Sequence, residues 1–351
     1  MNDRKARWAM WSIGAIANRV IIEMAESDIL EVVAVCSSNI EKANDFIRKN
    51  NLPAQAYTDI DEVLKRDDID IVYIASPPWL HREQCCRCMD AGKAVLCEKP
   101  MTLDPEDAIA IFECARKNHV FMAEGVWTNY FPAMKKAKEW IMEGRIGDPI
   151  EIVSTFGFPI LTEFADPNGG KPPYRWSSKL SNGGGALSEF GIYNINLAQF
   201  VFEQAPEAIY GTTHRASEDP DAIDINSEFI LSYEDGAKRA LISCGMTART
   251  ITQSVISGTR GTITIGSPFF APVFAREYHM AGSPFCHEVT EEFCDPYAVK
   301  HREGFKFQFE AISQYVLEGR REAPEVPYEY SINLAKTVKR VREHLGLSIH
   351  P

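Results

Sequence analysis

The chain has 351 residues, 45% hydrophobic, 11% aromatic and 25% charged, proportions of a folded globular protein that exclude disorder, collagen and a coiled coil. Lys and Arg number 37 against 49 Asp and Glu, a formal charge of −12; so acidic a surface repels phosphate backbones and anionic lipid heads, so neither nucleic acid nor a membrane surface is expected as a partner. No run approaches the roughly 18 apolar residues of a membrane span, and at roughly 100–200 residues per domain the length fits two domains.

Met1–Arg7 carries three basic residues, Trp8–Ala17 is mostly apolar, and Ala15-Ile16-Ala17 mimics a small-residue cleavage site, together the outline of a short secretory leader. The same stretch also fits a buried strand entering a glycine turn and a helix, and that pattern repeats downstream. The nine cysteines are odd in number and scattered, unlike the dense framework of a small secreted domain. A reduced, cytoplasmic protein is expected.

The first half alternates strand and helix. Trp8–Ser12 reads as an apolar strand, Ala17–Ala25 as a helix and Leu30–Cys36 as a β-branched strand. A helix near Glu41–Lys49 stops at Asn50-Asn51, a short strand lies near Ala56–Tyr57, and Asp59 is placed to cap a helix over Asp61–Lys65. Ile69–Ala75 is a further apolar strand, broken by Ser76-Pro77-Pro78. The helix near His81–Ala91 ends at Gly92, Ala94–Cys97 is a strand, Asp104-Pro105-Glu106 opens a helix, and Val120–Ala123 is a last strand. Strands apolar throughout, spaced by amphipathic helices, predict a doubly wound parallel sheet covered on both faces over residues 1–124.

From 125 to 351 the texture is α+β. A helix near Pro132–Glu143 precedes alternating segments at Ile150–Phe158, Ala208–His214, Ile225–Tyr233, Ala237–Met246, Gln253–Ser257 and Gly261–Gly266. Glu234-Asp235-Gly236 and Thr259-Arg260-Gly261 read as hairpin turns, so a largely antiparallel, open-faced sheet is expected. Helices are expected near Ala186–Phe202, Phe305–Glu318 and Tyr328–Glu343, the last a candidate to return to the first domain. These are too few to cover both faces of the sheet, and an uncovered apolar face predicts a homo-oligomer, at least a dimer.

The first strand ends in Ser12-Ile13-Gly14-Ala15-Ile16-Ala17, the G-x-G-x-x-G/A spacing with Ser in the first place. Gly14 would let a pyrophosphate approach the backbone N–H groups that follow it, including those of Ala15 and Ile16, at a positive helix end. After the second strand, Cys36-Ser37-Ser38-Asn39 lacks the acid that bonds the ribose of NAD; Ser37, Ser38 and Lys42 suit a 2′-phosphate, or form a polar loop with no preference. Glu98 and Lys99 stand at the carboxyl end of a buried strand, where such sheets bind ligands, as an ion pair or with a catalytic cation. Cys85 and Cys88 lie mid-helix, which suits burial better than a metal knuckle. His279, Cys286, His287 and Cys294 fall in what reads as a loose loop, and no metal is expected.

The Ser12–Ala17 turn, the Ser76-Pro77…His81 segment, Glu98-Lys99-Pro100 and the run Gly183-Gly184-Gly185-Ala186-Leu187-Ser188-Glu189-Phe190-Gly191-Ile192-Tyr193 resemble the Gfo/Idh/MocA oxidoreductase family across essentially the whole chain. Trp127–Pro132 and Tyr193 look most like its dimeric dihydrodiol dehydrogenase and anhydrofructose reductase branch. The resemblance implies a nicotinamide dinucleotide, with Ser76, Pro77, His81 and Glu98 among its candidate contacts; the missing acid and Ser37, Ser38 and Lys42 point to NADP, with NAD an alternative. It implies Lys99 beside the nicotinamide and the substrate hydroxyl, and Tyr193 as the acid/base. His81 lines that pocket or, as a helix-start histidine, caps or packs. Many relatives carry Asp at the place of Glu189 and His at that of Tyr193, which leaves the role of Glu189 open.

The pair makes chemical sense. Hydride leaves a carbinol carbon only as the hydroxyl proton is removed, and a phenol, ordinarily titrating near ~10, needs a cation to serve near neutrality. Glu189 and Tyr193 are spaced to share one helix face. Trp127 and Arg175 are candidate substrate contacts, Arg175 equally an anchor of the long Pro159–Asn182 loop. The expected reaction interconverts a secondary alcohol and a ketone on a small carbohydrate-like ring: a sugar, glycoside, cyclitol or dihydrodiol. The alternative is glycoside cleavage or elimination with transient oxidation and no net redox.

Overall fold

Largely apolar strands must be covered on both faces, and such strands, Leu30–Cys36, Ile71–Ile74 and Ala94–Cys97 among them, form the heart of a six-stranded sheet. In the computed structural model, which describes residues 4–160, 179–280, 286–301 and 303–349, the chain forms two compact units. One comprises Met1–Tyr130 with Gly304–Ala335, the other Phe131–Glu303 with Lys336–Pro351.

In the first unit, β1 (Ala6–Trp11), β2 (Leu30–Cys36), β3 (Gln55–Tyr57), β4 (Ile71–Ile74), β5 (Ala94–Cys97) and β6 (Met122–Glu124) pair parallel in the order β3-β2-β1-β4-β5-β6. The helices between them are α1 (Ala15–Ala25), α2 (Ile40–Lys49), α3 (Ile60–Leu64), α4 (His81–Asp90) and α5 (Pro105–Asn118). Asn39, Asp59 and Asp104 cap α2, α3 and α5 by accepting from backbone N–H groups. The strand order reverses between β1 and β4, and in such sheets the ligand crevice opens there, beyond the carboxyl ends of the strands.

A late segment completes this unit. Trp8 is fully buried on β1, donates its indole N–H to Ser313 Oγ at 2.9 Å and meets the Phe309 ring edge-on at 5.2 Å. Both partners lie on the helix Phe305–Leu317, and Tyr73 of β4 meets the same Phe309 ring at 5.2 Å. Sheet aromatics therefore take their cover from residues more than 200 positions away.

In the second unit, α6 (Pro132–Met142) leads into β7 (Pro149–Gly157), α7 (Ile192–Phe202) and then β8 (Ala208–Arg215), β9 (Asp224–Tyr233), β10 (Lys238–Gly245), β11 (Ser254–Gly258), β12 (Thr262–Ile265), β13 (Phe274–Met280) and β14 (His287–Cys294). A short helix α8 (Pro296–His301) follows; the returning helix is α9, and α10 (Tyr328–His344) ends in the second unit. The eight strands run β14-β13-β12-β11-β7-β10-β9-β8, antiparallel except where β10 meets β7. Both expected hairpins are present, β9–β10 and β11–β12. The segment expected to be a loose loop forms β13 and β14, which put Cys294 opposite Phe274 and His287 opposite Met280.

Candidate active site

The loops after β1, β2, β4 and β5 lie at the carboxyl ends of neighbouring parallel strands. The β1 loop starts at Ser12, whose backbone is left-handed at φ 78° while its N–H bonds to the Cys36 carbonyl at 3.0 Å. That conformation favours glycine, which is the physical reason the dinucleotide fingerprint begins with one. Gly14 follows as the N-cap of α1, exposed, with no side-chain cap and no acid in the first turn. A Cβ built on Gly14 would meet no neighbouring atom within 4 Å among the described residues, which leave the helix N-terminus open. This geometry fits a dinucleotide: donors and a positive helix end with room for a pyrophosphate. Ala15 is exposed and Ile16 half-buried in the same turn, and Ala17 is buried against the sheet.

The second corner is the end of β2. Ser37 is half-buried, Ser38, Asn39 and Lys42 are exposed, and no carboxylate stands among Ser37–Asn39. The Asn39 Oδ1 is engaged in capping α2, accepting from the Lys42 N–H at 3.0 Å. The ammonium of Lys42 is left at the surface of the same turn.

At the third corner, Glu98 accepts from the Tyr73 hydroxyl at 2.6 Å and from the Lys99 N–H at 3.2 Å. Burial pushes its carboxyl above the usual range, against the pull of Tyr73 and Lys99. Glu124, fully enclosed, accepts from the Met101 N–H at 2.9 Å, and its carboxyl is also pushed up, first by burial. The backbone on both sides of Lys99 is thus held by carboxylates, Glu98 acting as a brace. Ser76 and Pro77, both half-buried, follow β4.

His81 is 1% exposed, with Nδ1 at 2.9 Å from the Met101 carbonyl and Nε2 at 2.7 Å from that of Ser76. The ring therefore ties the β4 loop to the Lys99–Met101 segment. A neutral imidazole has one N–H to offer two carbonyls, yet burial dominates and pulls the pKa below its ordinary value. The unfolded chain then takes up this proton first on acidification. The stabilising contribution is complete above pH ~6.5 and is eroded as pH falls from there toward the lower folded value. Between pH 7 and 5.5 the wild type is expected to lose melting temperature more steeply than His81→Asn. The raised carboxyls of Glu98 and Glu124 contribute in the opposite sense but cancel in the comparison. Equal slopes would contradict the assignment.

In the second unit, Gly183–Gly185 precede a π-helical turn over Leu187–Gly191 that continues as α7, carrying Glu189 and Tyr193, both half-buried. π-turns are rare and cluster at functional sites. The Tyr193 ring lies 5.9 Å from Phe156 and 5.4 Å from Phe270, while Phe156 stacks on Phe270 at 4.5 Å and contacts Phe190 at 4.4 Å. Sequence reasoning passes over Phe156, Phe190 and Phe270, because they come from β7, the π-turn and the stretch after β12. Trp127 is 5% exposed and stacks on Phe305 at 4.0 Å, so most of its surface is spent on packing within the first unit. Arg175 lies outside the described residues. Cys85 and Cys88 are both fully buried on α4, and among the described residues no group of His, Cys, Asp and Glu is arranged to hold a metal.

Residues 6–126 match the oxidoreductase family with an NAD-binding Rossmann fold, and residues 134–264 match the GFO/IDH/MocA C-terminal domain. A trans-1,2-dihydrobenzene-1,2-diol dehydrogenase of Xenopus laevis is 29% identical over 97% of this chain and 98% of its own, and that of Homo sapiens 26% over 97% of each. Among solved structures, an aldose–aldose oxidoreductase from Caulobacter crescentus, complexed with glycerol, superposes with a TM-score of 0.80 at 24% identity over 97% of each chain. A 3-ketoreductase from Actinomadura kijaniata, in complex with NADP and TDP-benzene, gives 0.78 at 25% identity over 97% of this chain and 98% of that one.

Proposed function

Because the chain belongs to the GFO/IDH/MocA oxidoreductase family, we propose that it interconverts a secondary alcohol and a ketone on a sugar, glycoside, cyclitol or dihydrodiol-like ring, with NADP(H), or alternatively NAD(H), as hydride carrier. The observation that carries this reading is the placement of the open Gly14 turn, Ser76-Pro77 and the braced Lys99 at the carboxyl ends of β1, β4 and β5. Relatives named for a dihydrodiol and for a keto group support the substrate class. So do the half-buried rings of Tyr193 and Phe270, backed by the buried Phe156, which suit the flat apolar side of a small ring.

When bound, the nicotinamide supplies or accepts the hydride. The N-terminus of α1 would hold the pyrophosphate, and Ser37, Ser38 and Lys42 would hold a 2′-phosphate. Tyr193 takes the hydroxyl proton in oxidation and returns it in reduction; the Lys99 ammonium offsets the charge that develops on the substrate oxygen. Glu98 keeps Lys99 in place through its N–H. A substrate deuterated at the carbinol carbon should pass its deuterium to the nicotinamide and keep it there. Deuterium retained in the product would overturn the proposal and favour transient oxidation with elimination. By titration calorimetry, NADP(H) should bind at least as tightly as NAD(H); a clear preference for NAD(H) would sink the phosphate assignment.

Assembly follows from the outer sheet face. Tyr210, Ile230, Leu241, Val153 and Val255 stand in register across β8, β9, β10, β7 and β11, with Tyr210 60%, Val153 40% and Ile230 37% exposed. A second copy of this chain, presenting the same self-complementary row, is the occupant we assign. Light scattering should give a dimer or larger for the wild type and a monomer for Tyr210→Glu/Ile230→Lys; a monomeric wild type at micromolar concentration contradicts it. All nine cysteines are free thiols, in keeping with the cytoplasmic location we propose; separately, no described helix is long and apolar enough to cross a membrane.

A further inference from the structure

The π-turn carrying Glu189 starts against a buried carboxylate. Asp224, at the first position of β9, is 1% exposed, and its Oδ2 accepts from the Leu187 N–H at 2.9 Å and from the Ser227 hydroxyl at 2.8 Å. Leu187 is the first residue of the turn. Gly185 makes this approach possible: its φ is 111°, and a Cβ there would stand 1.9 Å from Asp224 Oδ1. From α10, Arg342, 4% exposed, donates through Nη2 to Ser188 Oγ at 2.5 Å, gripping the next residue of the same turn.

The two side chains carry opposite buried charges within electrostatic reach. Burial draws the Arg342 guanidinium down to about 10, and the charge of Asp224 offsets part of that. Burial likewise raises the Asp224 carboxyl, against the hydrogen bonds of Ser227 and Leu187 and the charge of Arg342. Fully buried ions are retained against a desolvation penalty of several kcal/mol each. Packing alone would be met by apolar residues of the same volume. What the charges supply is a fixed, directional grip on Leu187 and Ser188, two and one residues before Glu189.

We propose that Asp224 and Arg342 are positioning residues for the reaction: together they set the pitch of the Leu187–Gly191 π-turn, and through it the aim of Glu189 and Tyr193. Neither touches substrate or cofactor. The inference rests on the assignment of Tyr193 as acid/base, and the test separates the two.

Asp224→Asn and Arg342→Met singly each leave one buried charge uncompensated and should lower the melting temperature. The double variant Asp224→Asn/Arg342→Met, neutral and similar in volume, should recover that temperature to within a few degrees. Its kcat should nevertheless stay at least tenfold below wild type, with KM and NADP(H) affinity unchanged and with faster amide hydrogen exchange across Leu187–Tyr193. Recovery of kcat along with melting temperature would overturn the proposal, since a merely structural pair is repaired by restoring stability. If the double variant does not fold, Ser188→Ala decides: it removes only the hydroxyl that Arg342 grips, and a wild-type kcat there is equally contrary. Tyr193→Phe is measured alongside. If it keeps wild-type turnover, the acid/base reading fails; if it loses turnover while the double variant does not, only the positioning role fails.

Discussion

Replacing Tyr193 by Phe is expected to cut turnover by about 10²–10⁴-fold while leaving cofactor affinity and melting temperature nearly unchanged. The substitution keeps the ring, and with it the contacts to Phe156 at 5.9 Å and Phe270 at 5.4 Å, so a tyrosine that merely packs would lose nothing. Only the hydroxyl goes. An acid/base role needs that hydroxyl at every turnover, in either direction. Lys99→Met should also lose turnover, because the developing oxygen anion then has no ammonium to meet. The double variant should lose less than the product of the two single losses, since groups that act on one oxygen are not additive. Retention of more than about a tenth of wild-type turnover by Tyr193→Phe would remove Tyr193 from the mechanism.

The second large effect is expected at Gly14. Its φ of −75° is open to any residue, and a Cβ there would meet no neighbouring atom within 4 Å among the described residues. Gly14→Asp should therefore fold normally. A carboxylate at the N-cap of α1 even stabilises the helix, by about 0.5–1 kcal/mol, through the N–H groups it accepts from. Those are the groups assigned to the pyrophosphate, and the new negative charge repels it. Dissociation constants for NADP(H) and NAD(H) should both rise by at least about a hundredfold, some 2.7 kcal/mol, at an unchanged or raised melting temperature. A variant that binds cofactor normally would show that the nucleotide lies elsewhere. One that fails to fold would show that Gly14 serves the backbone rather than the ligand.

The first unit was legible because its signals are local. Apolar runs such as Ile71–Ile74, capping residues such as Asp59 and Asp104, and the spacing of Ser12, Gly14 and Ala17 each act within a few residues of themselves. Sequence reasoning failed where the physics is long-range. β13 and β14 read as loop because β14 is an edge strand, mostly exposed, whose charges at Glu288, Glu291 and Glu292 blunt the edge and hide any alternation. Glu277 on β13 is fully buried, a place no carboxylate is assigned from pattern. It is tolerated because Arg145, the Thr290 hydroxyl at 3.1 Å and His279 at 3.1 Å surround it. The rings around Tyr193 and the grip of Asp224 and Arg342 likewise join residues tens to more than a hundred positions apart. The motif residues Lys99 and Tyr193 could be named from sequence; what holds them could not.

Net hydride transfer from a carbinol carbon is the central step of the proposed reaction. Its most direct test follows reduced nicotinamide by absorbance and ketone by chromatography in the same reaction, across a panel of dihydrodiols, cyclitols and sugars. Each mole of ketone formed should be matched by a mole of reduced cofactor, and both signals should collapse together in Tyr193→Phe. Product that accumulates with no net change in the nicotinamide band would contradict it, because a cofactor that ends each cycle as it began belongs to an eliminating enzyme and not to a dehydrogenase.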